Sequence, residues 1–387
     1  MVELPITPAL SAERHAWMMR EYMREGETRA FELGNRGAIR FEADGSVHRD
    51  ILEAYWRCGF YVFEGVIGEG ELEELRADVE RVVAGAPVGP GAKVDARGRP
   101  AIGSALARPS FSFARPLSDP LGGTGKYQGR HPVKMREPAP AADAPDRIVE
   151  LLLGNLQIMD SCLRLYGHAG LLRVAEAVNG PDFVPFNEVV FIKDPGLGVS
   201  VAWHRDGTTH WTSPNFHPGA HGFNFMAQLY GSTPGNGVWA LPGSHAHRRI
   251  DLKALVEESG SERIRGAVPM VCKPGDVIIS NRQLVHGSFA NTSPDRRVTV
   301  NFGFLPRSSV LDVTTARLDG EVETYDAARL HQRSRMIAVA IDARHQRFSH
   351  ERRYVYQPLL GEEGTNRWNE EVRETVVKNY NLLDVHI

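Results

Sequence analysis

The sequence predicts an α+β protein in which an antiparallel β-barrel or sandwich core is wrapped by helices from both flanks. Short apolar runs, separated by Gly, Pro and Asn turns, crowd residues 185–306. Apolar residues recur at helical spacing on either side of that region.

Residues 8–83 read as mostly helical. Leu72, Leu75, Val79, Val82 and Val83 repeat at helical spacing behind an acidic first turn containing Glu71, Glu73 and Glu74. Just before them, GFYVFEGVI (59–67) has the aromatic and β-branched content of a strand. From 84 to 147 the pattern breaks, with GAPVGPGA early and EPAPAADAP late, and a Gly/Pro-rich stretch of this length predicts a lid or a disordered segment. Helical signals return over 147–179. The strand-like segments NEVVFIK, VSVAWH, FNFMAQLY, GVWALP, AVPMVC, DVIIS and RVTVNFGF follow, and residues 307–387 revert to helix, rich in Arg and His. No repeat occurs at a fixed period, so residues 1–387 are expected to form a single domain with its core at 185–306.

Composition narrows the function. Hydrophobic residues at 42% and charged residues at 24% are ordinary for a globular chain, and a formal charge of −3 gives no reason to expect nucleic acid as a partner. No apolar run reaches the roughly 20 residues needed to span a bilayer. MVELPITPALSAERHAW lacks the basic and then apolar stretch of a secretory signal, so a cytoplasmic location is expected. Cys58, Cys162 and Cys272 lie far apart with no CxxC, which suits a reducing compartment and leaves any metal to His and carboxylate. Of 15 histidines, seven fall between 204 and 286.

The stretch VAWHRDGTTHW (201–211) places His204 and Asp206 two apart at the end of an apolar run. On a strand such residues share a face and could grip one ion. The alternative is a capped turn in which Asp206 bonds backbone amides ahead of Gly207. His286 ends a second strand-like run and could supply a third ligand. Two His and one carboxylate form the facial triad that leaves open positions on iron(II). In RRVTVNF, alternation puts Arg297, Thr299 and Asn301 on one face and Val298, Val300 and Phe302 on the other. That polar face either meets solvent or points into a barrel lumen, where Arg297 would fork onto a carboxylate and Thr299 would add a hydroxyl.

The ensemble resembles the phytanoyl-CoA dioxygenase family of iron(II)- and 2-oxoglutarate-dependent oxygenases. The resemblance covers roughly 51–305, through GFYVFEGVI, WHRD, GNGVWALPGSH (235–245), KPGDVIIS and HGSFANTSPDRR, the last with an arginine eleven residues after its histidine. It implies a double-stranded β-helix (a jelly-roll, cupin-like core). It also implies His204, Asp206 and His286 as iron ligands, with Arg297 rather than Arg296 on the distal carboxylate of 2-oxoglutarate. Lys193 resembles a lysine that some relatives direct towards the co-substrate, the alternative being a strand-end lysine in water. Gln228 would lie on a strand lining the lumen. Trp239 stands where relatives carry a smaller aliphatic residue, with core packing as its alternative, and His210 and Trp211 lie just beyond the HxD turn, where substrate could pass.

The implied reaction uses O2 and 2-oxoglutarate, releases succinate and carbon dioxide, and hydroxylates, desaturates or cyclises at a C–H bond of a small molecule. Asp206 argues against halogenation, since related halogenases have Gly or Ala there. Segment 104–137 carries Arg108, Arg115, Lys126, Arg130, Lys134 and Arg136 against Asp119 and Glu137, which reads either as a solvated basic loop or as a lid that could receive an anionic substrate. Rival readings are a catalytically inactive jelly roll that binds a small molecule, or a zinc hydrolase at the same ligands, for which no general base stands out. A serine hydrolase would need a GxSxG elbow around Ser244, which PGSH lacks. Neither substrate identity nor oligomeric state is legible.

Overall fold

A computed structural model describes residues 10–317, 320–378 and 380–382. The first two residues of the 8–83 region, most of the segment in which no secretory signal is read, and the last five residues of 307–387 lie outside that range.

Along the core, the chain alternates between two sheets. An eight-stranded sheet takes Phe183–Lys193, Phe223–Gln228, Val277–Asn281 and Arg297–Pro306, whereas a four-stranded sheet takes Val201–His204, Trp239–Ala240, Val268–Pro269 and His286–Ser288. This alternation is the double-stranded β-helix. The large sheet runs in the order 36–37, 60–63, 277–281, 223–228, 297–306, 183–193, 148–153, 111–114, and every pairing is antiparallel except that of its first strand.

The central Arg297–Pro306 strand is buried on both sides. Val298, Val300 and Phe302 join Phe223, Phe225, Leu163, Tyr166 and Met336 in the main core, beneath helices Asp160–Tyr166 and Ala327–Arg347. Each such side chain contributes about 1.5–3 kcal/mol by leaving water. Arg297, Thr299 and Asn301 face the other way into the space between the sheets. The alternation in RRVTVNF therefore separates a helix-covered face from a lumen face, and neither meets solvent.

On the outside of the small sheet, helix Ala12–Glu32 packs so closely that a Cβ on Gly26 would meet the Trp239 ring at 2.5 Å. Trp239 is fully buried there, stacked on Tyr22 at 4.4 Å between ring centroids.

Two expectations need correction. The region 147–179 opens not with helix but with strand Ile148–Leu153, followed by helices Asn155–Ile158, Asp160–Tyr166 and Ala169–Asn179. IVELLL pairs on both edges, with Phe111–Ala114 and Phe183–Lys193, so the ladder overrides a sequence equally compatible with helix. Residues 84–147 are not structureless, since Phe111–Ala114 and Pro138–Ala139 are strands. The three cysteines are free and buried. No helix among the described residues is long and apolar enough to cross a membrane.

Candidate metal centre and cavity

The site is built on a register pair. His286, at the start of its strand, lies directly opposite His204, at the end of the neighbouring antiparallel strand, so the two rings stand 4.2 Å apart. Gly287 permits this, because even a Cβ there would meet the Val201 carbonyl at 3.0 Å. Each imidazole is oriented by its own backbone. His204 Nδ1 lies 2.8 Å from the Ala202 carbonyl and His286 Nδ1 2.9 Å from that of Leu284, so both Nδ1–H groups donate to the backbone and both Nε2 atoms are left facing Asp206.

Asp206, in the turn after the His204 strand, completes the group. Its carboxylate lies 3.5 Å from His204 Nε2 and 3.9 Å from His286 Nε2, and one donor atom from each of the three residues falls within 4.8 Å of the others. Asn224 Nδ2 donates to Asp206 Oδ2 at 2.9 Å and fixes the carboxylate. Burial works against ionisation of Asp206, but the hydrogen bond with His204, then Arg130 and His286, hold its carboxyl well below the usual range. Burial, and then His204, push the His286 imidazole down to about 4. A carboxylate held in its anionic form beside two imidazoles is the donor set a divalent iron takes.

A cavity of about 570 Å³ opens onto these ligands. At one end lie Lys193 and Arg297, directly opposite each other across the 183–193 and 297–306 strands. Both are buried, and neither makes an ion pair among the described residues. Arg297 Nη1 donates to the Asn236 carbonyl at 2.9 Å, while its buried Nε has no partner among the described residues. Lys193 Nζ donates to Ser288 Oγ at 2.8 Å and to the Phe289 carbonyl at 2.6 Å. Burial lowers Arg297 to about 10, and burial followed by Arg297 pushes Lys193 well below the lysine range. A buried guanidinium without a counter-ion, with a buried lysine beside it, fits an anionic ligand. Arg296 instead turns outward to Glu80 and Asp194.

The structure sorts the remaining sequence candidates. Thr299 lines the cavity and donates to Gln228 Oε1 at 2.9 Å, which leaves Gln228 buried behind it and outside the wall. Arg130 lines the cavity and reaches Asp206 Oδ1 at 3.5 Å. His210 and Trp211 are not part of the wall. Trp211 lies tilted against His221 at 4.3 Å between ring centroids and beneath the Arg205 guanidinium, and its Nε1 donates to the Gly207 carbonyl, so the ring closes its own turn. Trp239 also lies outside the wall, in the core between helix and sheet. Ser244 accepts from the Val285 amide as a structural group.

Of the six basic residues in 104–137, Arg115 and Lys134 pair with Glu137 and Arg136 with Glu262, while Lys126 and Arg130 line the cavity. His131, beside them, is buried with its ring 4.3 Å from that of His204, and neither ring nitrogen has a partner among the described residues. Sequence reading missed it, since nothing local marks a histidine in a Gly-rich stretch as facing a distant strand. The turn that carries these residues holds Tyr127 and Gln128 at φ 50° and 58°, consecutive left-handed conformations costing about 1–3 kcal/mol each.

Comparison with known proteins adds the family. Residues 55–299, more than half of the chain, match the Phytanoyl-CoA dioxygenase (PhyH) family. The chain belongs to that family. The family is one of non-haem iron, 2-oxoglutarate-dependent enzymes, and the donor set described above is one that could hold such a metal. Phytanoyl-CoA dioxygenase 1 of Oryza sativa subsp. japonica is 33% identical over 113 residues, 27% of this chain and 38% of that protein. Phytanoyl-CoA dioxygenase of Arabidopsis thaliana is 30% identical over 122 residues, 30% of this chain and 41% of that protein. The matches thus span about two fifths of each relative. A crystal structure of EctD from S. alaskensis with 2-oxoglutarate and 5-hydroxyectoine is similar over 73% of this chain and 83% of that one, at 20% identity and a TM-score of 0.48.

Proposed function

We propose that the protein oxidises a C–H bond of a small organic molecule, using iron held by His204, Asp206 and His286 and 2-oxoglutarate held by Arg297, with hydroxylation as the basic outcome. The observation that carries this reading is the meeting, in one cavity, of a preoriented His–Asp–His set with a buried guanidinium, that of Arg297, which lacks a counter-ion. When bound, iron and 2-oxoglutarate supply oxygen activation coupled to decarboxylation of the 2-oxo acid to succinate and carbon dioxide.

The protein's own share is positional. Backbone carbonyls of Ala202 and Leu284 fix the imidazoles, and Asn224 fixes the carboxylate. The planar Arg297 fork, restrained by the Asn236 carbonyl, presents its remaining N–H groups to the far carboxylate of the co-substrate, and Thr299 stands on the same face of the strand. Lys193 ties the two sheets together through Ser288 and Phe289, beside Arg297. Burial of the whole group excludes water, which strengthens each of these interactions. We propose that the 126–131 turn acts as the lid over the ligands. Asp206 supports hydroxylation or a related oxidation over halogenation, because it occupies the position that a halide would need.

The test is succinate release from 2-oxoglutarate with iron(II) and oxygen, read beside iron binding. Asp206→Ala is expected to bind iron at least tenfold more weakly and to release no succinate above background. Full succinate release by that variant would remove Asp206 from the site.

A further inference from the structure

The cavity contains a group of amides whose carbonyl oxygens the metal centre does not use. Asn224, Asn301 and Asn187 lie on three adjacent strands of the large sheet and face the same lumen as the metal ligands. Asn224 and Asn301 are more than nine-tenths buried. The Oδ1 atoms of all three are buried with no hydrogen-bond partner among the described residues. Buried polar groups are normally paired, so three on one wall point to a ligand that completes them.

The backbone makes room for the cluster. Gly303 stands opposite Asn224 in the central strand, two residues beyond Asn301 and on the same face. A Cβ there would lie 2.5 Å from both Asn187 Oδ1 and Asn224 Oδ1, so a side chain in place of this glycine would fill the space into which the two amides converge. Asn224 also connects the cluster to the metal centre, because the Nδ2 that donates to Asp206 leaves its Oδ1 only the role of acceptor. Asn187 and Asn301 make no side-chain hydrogen bond among the described residues and can present either end of their amides. Glu150 adds carboxylate oxygens to the same cavity. The 297–306 strand therefore serves two ligands, with Arg297 at the co-substrate end and Asn301 four residues further on, about 13 Å along the strand.

We infer that the substrate is a polyhydroxylated small molecule whose hydroxyl groups pair with Asn187, Asn224 and Asn301, which places the oxidised carbon on a hydroxyl-bearing skeleton rather than on a plain acyl chain. This rests on the oxygenase reading above. A hydroxyl both donates and accepts, so it satisfies an amide in either orientation, and it can donate to the fixed Asn224 oxygen. An alkyl chain in the same place would leave all three amides unpaired and out of water, at about tenfold or more in affinity for each.

The experiment uses protein loaded with iron(II) and 2-oxoglutarate under nitrogen, with binding of both measured first. Failure of either to bind would overturn the oxygenase reading itself. The loaded protein is then titrated calorimetrically with methyl hexopyranosides and cyclohexane diols and triols, each beside its analogue lacking one hydroxyl, and with decanoyl-CoA. The expected result is that at least one polyol binds, that loss of one hydroxyl weakens it about tenfold, and that the same polyol raises succinate release. In Asn301→Leu and Asn187→Leu the penalty for that missing hydroxyl should vanish, and the variants should gain affinity for decanoyl-CoA, a gain that only folded protein can show. If no polyol binds better than its deoxy analogue, if decanoyl-CoA binds wild type more tightly than every polyol, or if the leucine variants keep the full hydroxyl penalty, the inference is overturned while iron and 2-oxoglutarate binding still stand.

Discussion

Arg297 shows how much can rest on one side chain. A guanidinium buried without a counter-ion destabilises the empty protein, and burial already lowers its affinity for a proton to about 10. Such a residue is tolerable if a bound carboxylate completes it. Arg297→Met should therefore raise the dissociation constant for 2-oxoglutarate by about 30-fold or more, corresponding to the 2–5 kcal/mol of a truncated buried pair. The empty protein should melt at the same temperature or higher, because an apolar side chain replaces an uncompensated charge. Calorimetric titration with 2-oxoglutarate and a melting curve check the two halves. A lowered melting temperature with unchanged affinity would make Arg297 a structural residue instead. Strand alternation in the sequence put Arg297 on one face with Thr299 and Asn301 but left that face open between solvent and lumen, and it was the family resemblance that pointed it to the co-substrate. Asn224, Asn187 and His131 were not legible, since each meets the site only through register or through the path of a distant loop.

At the scale of elements, the metal centre depends on how closely two short strands approach. His204 and His286 face each other because Gly287 has no side chain, and the nearest obstacles to one are the backbone atoms Val201 O at 3.0 Å and Trp203 Cα at 3.2 Å. Backbone cannot rotate aside as a flexible side chain would. Gly287→Ala should separate the strands by a few tenths of an ångström, tilt the imidazoles, and weaken iron binding about tenfold, with little change in far-UV circular dichroism. Iron titration of the purified variant tests this, and unchanged iron affinity would show that the pair tolerates the displacement. Sequence reading located the His204 strand by its local apolar run. It put His286 at the end of a strand-like run, whereas His286 opens the separate short strand His286–Ser288 in the other sheet. The same reading assigned Ile148–Leu153 to helix because an apolar six-residue run fits either period, and only the neighbours on both edges decide. The 84–147 stretch was legible as a break in periodicity. Its closeness to the metal ligands was not, because loop paths follow tertiary contacts that composition does not encode.

At the scale of the whole molecule, the fold class was readable because strand density and flanking helical periodicity are properties of long windows, in which single ambiguities average out. The same scale governs the response to acid, where His15 offers a test away from the metal ligands. It sits in helix Ala12–Glu32, almost fully buried, with an unpartnered Nδ1. Burial, then Arg263 and Arg136, depress its pKa from 6.5 to about 4. Between those values the unfolded chain holds a proton that the folded chain does not. The contribution of His15 is therefore complete above about pH 6.5 and is lost progressively as pH falls towards 4. From pH 7 to 5 the loss from this residue is about 2 kcal/mol at most. His15→Leu removes the titration without exposing a new polar group, so the variant should lose less stability than wild type over that interval while keeping the same dependence above pH 7. Denaturant unfolding of both proteins at pH 8, 7, 6 and 5 checks this. Parallel curves for the two proteins throughout would mean that His15 is protonated in the fold, with Arg136 and Arg263 too far or too well screened to prevent it.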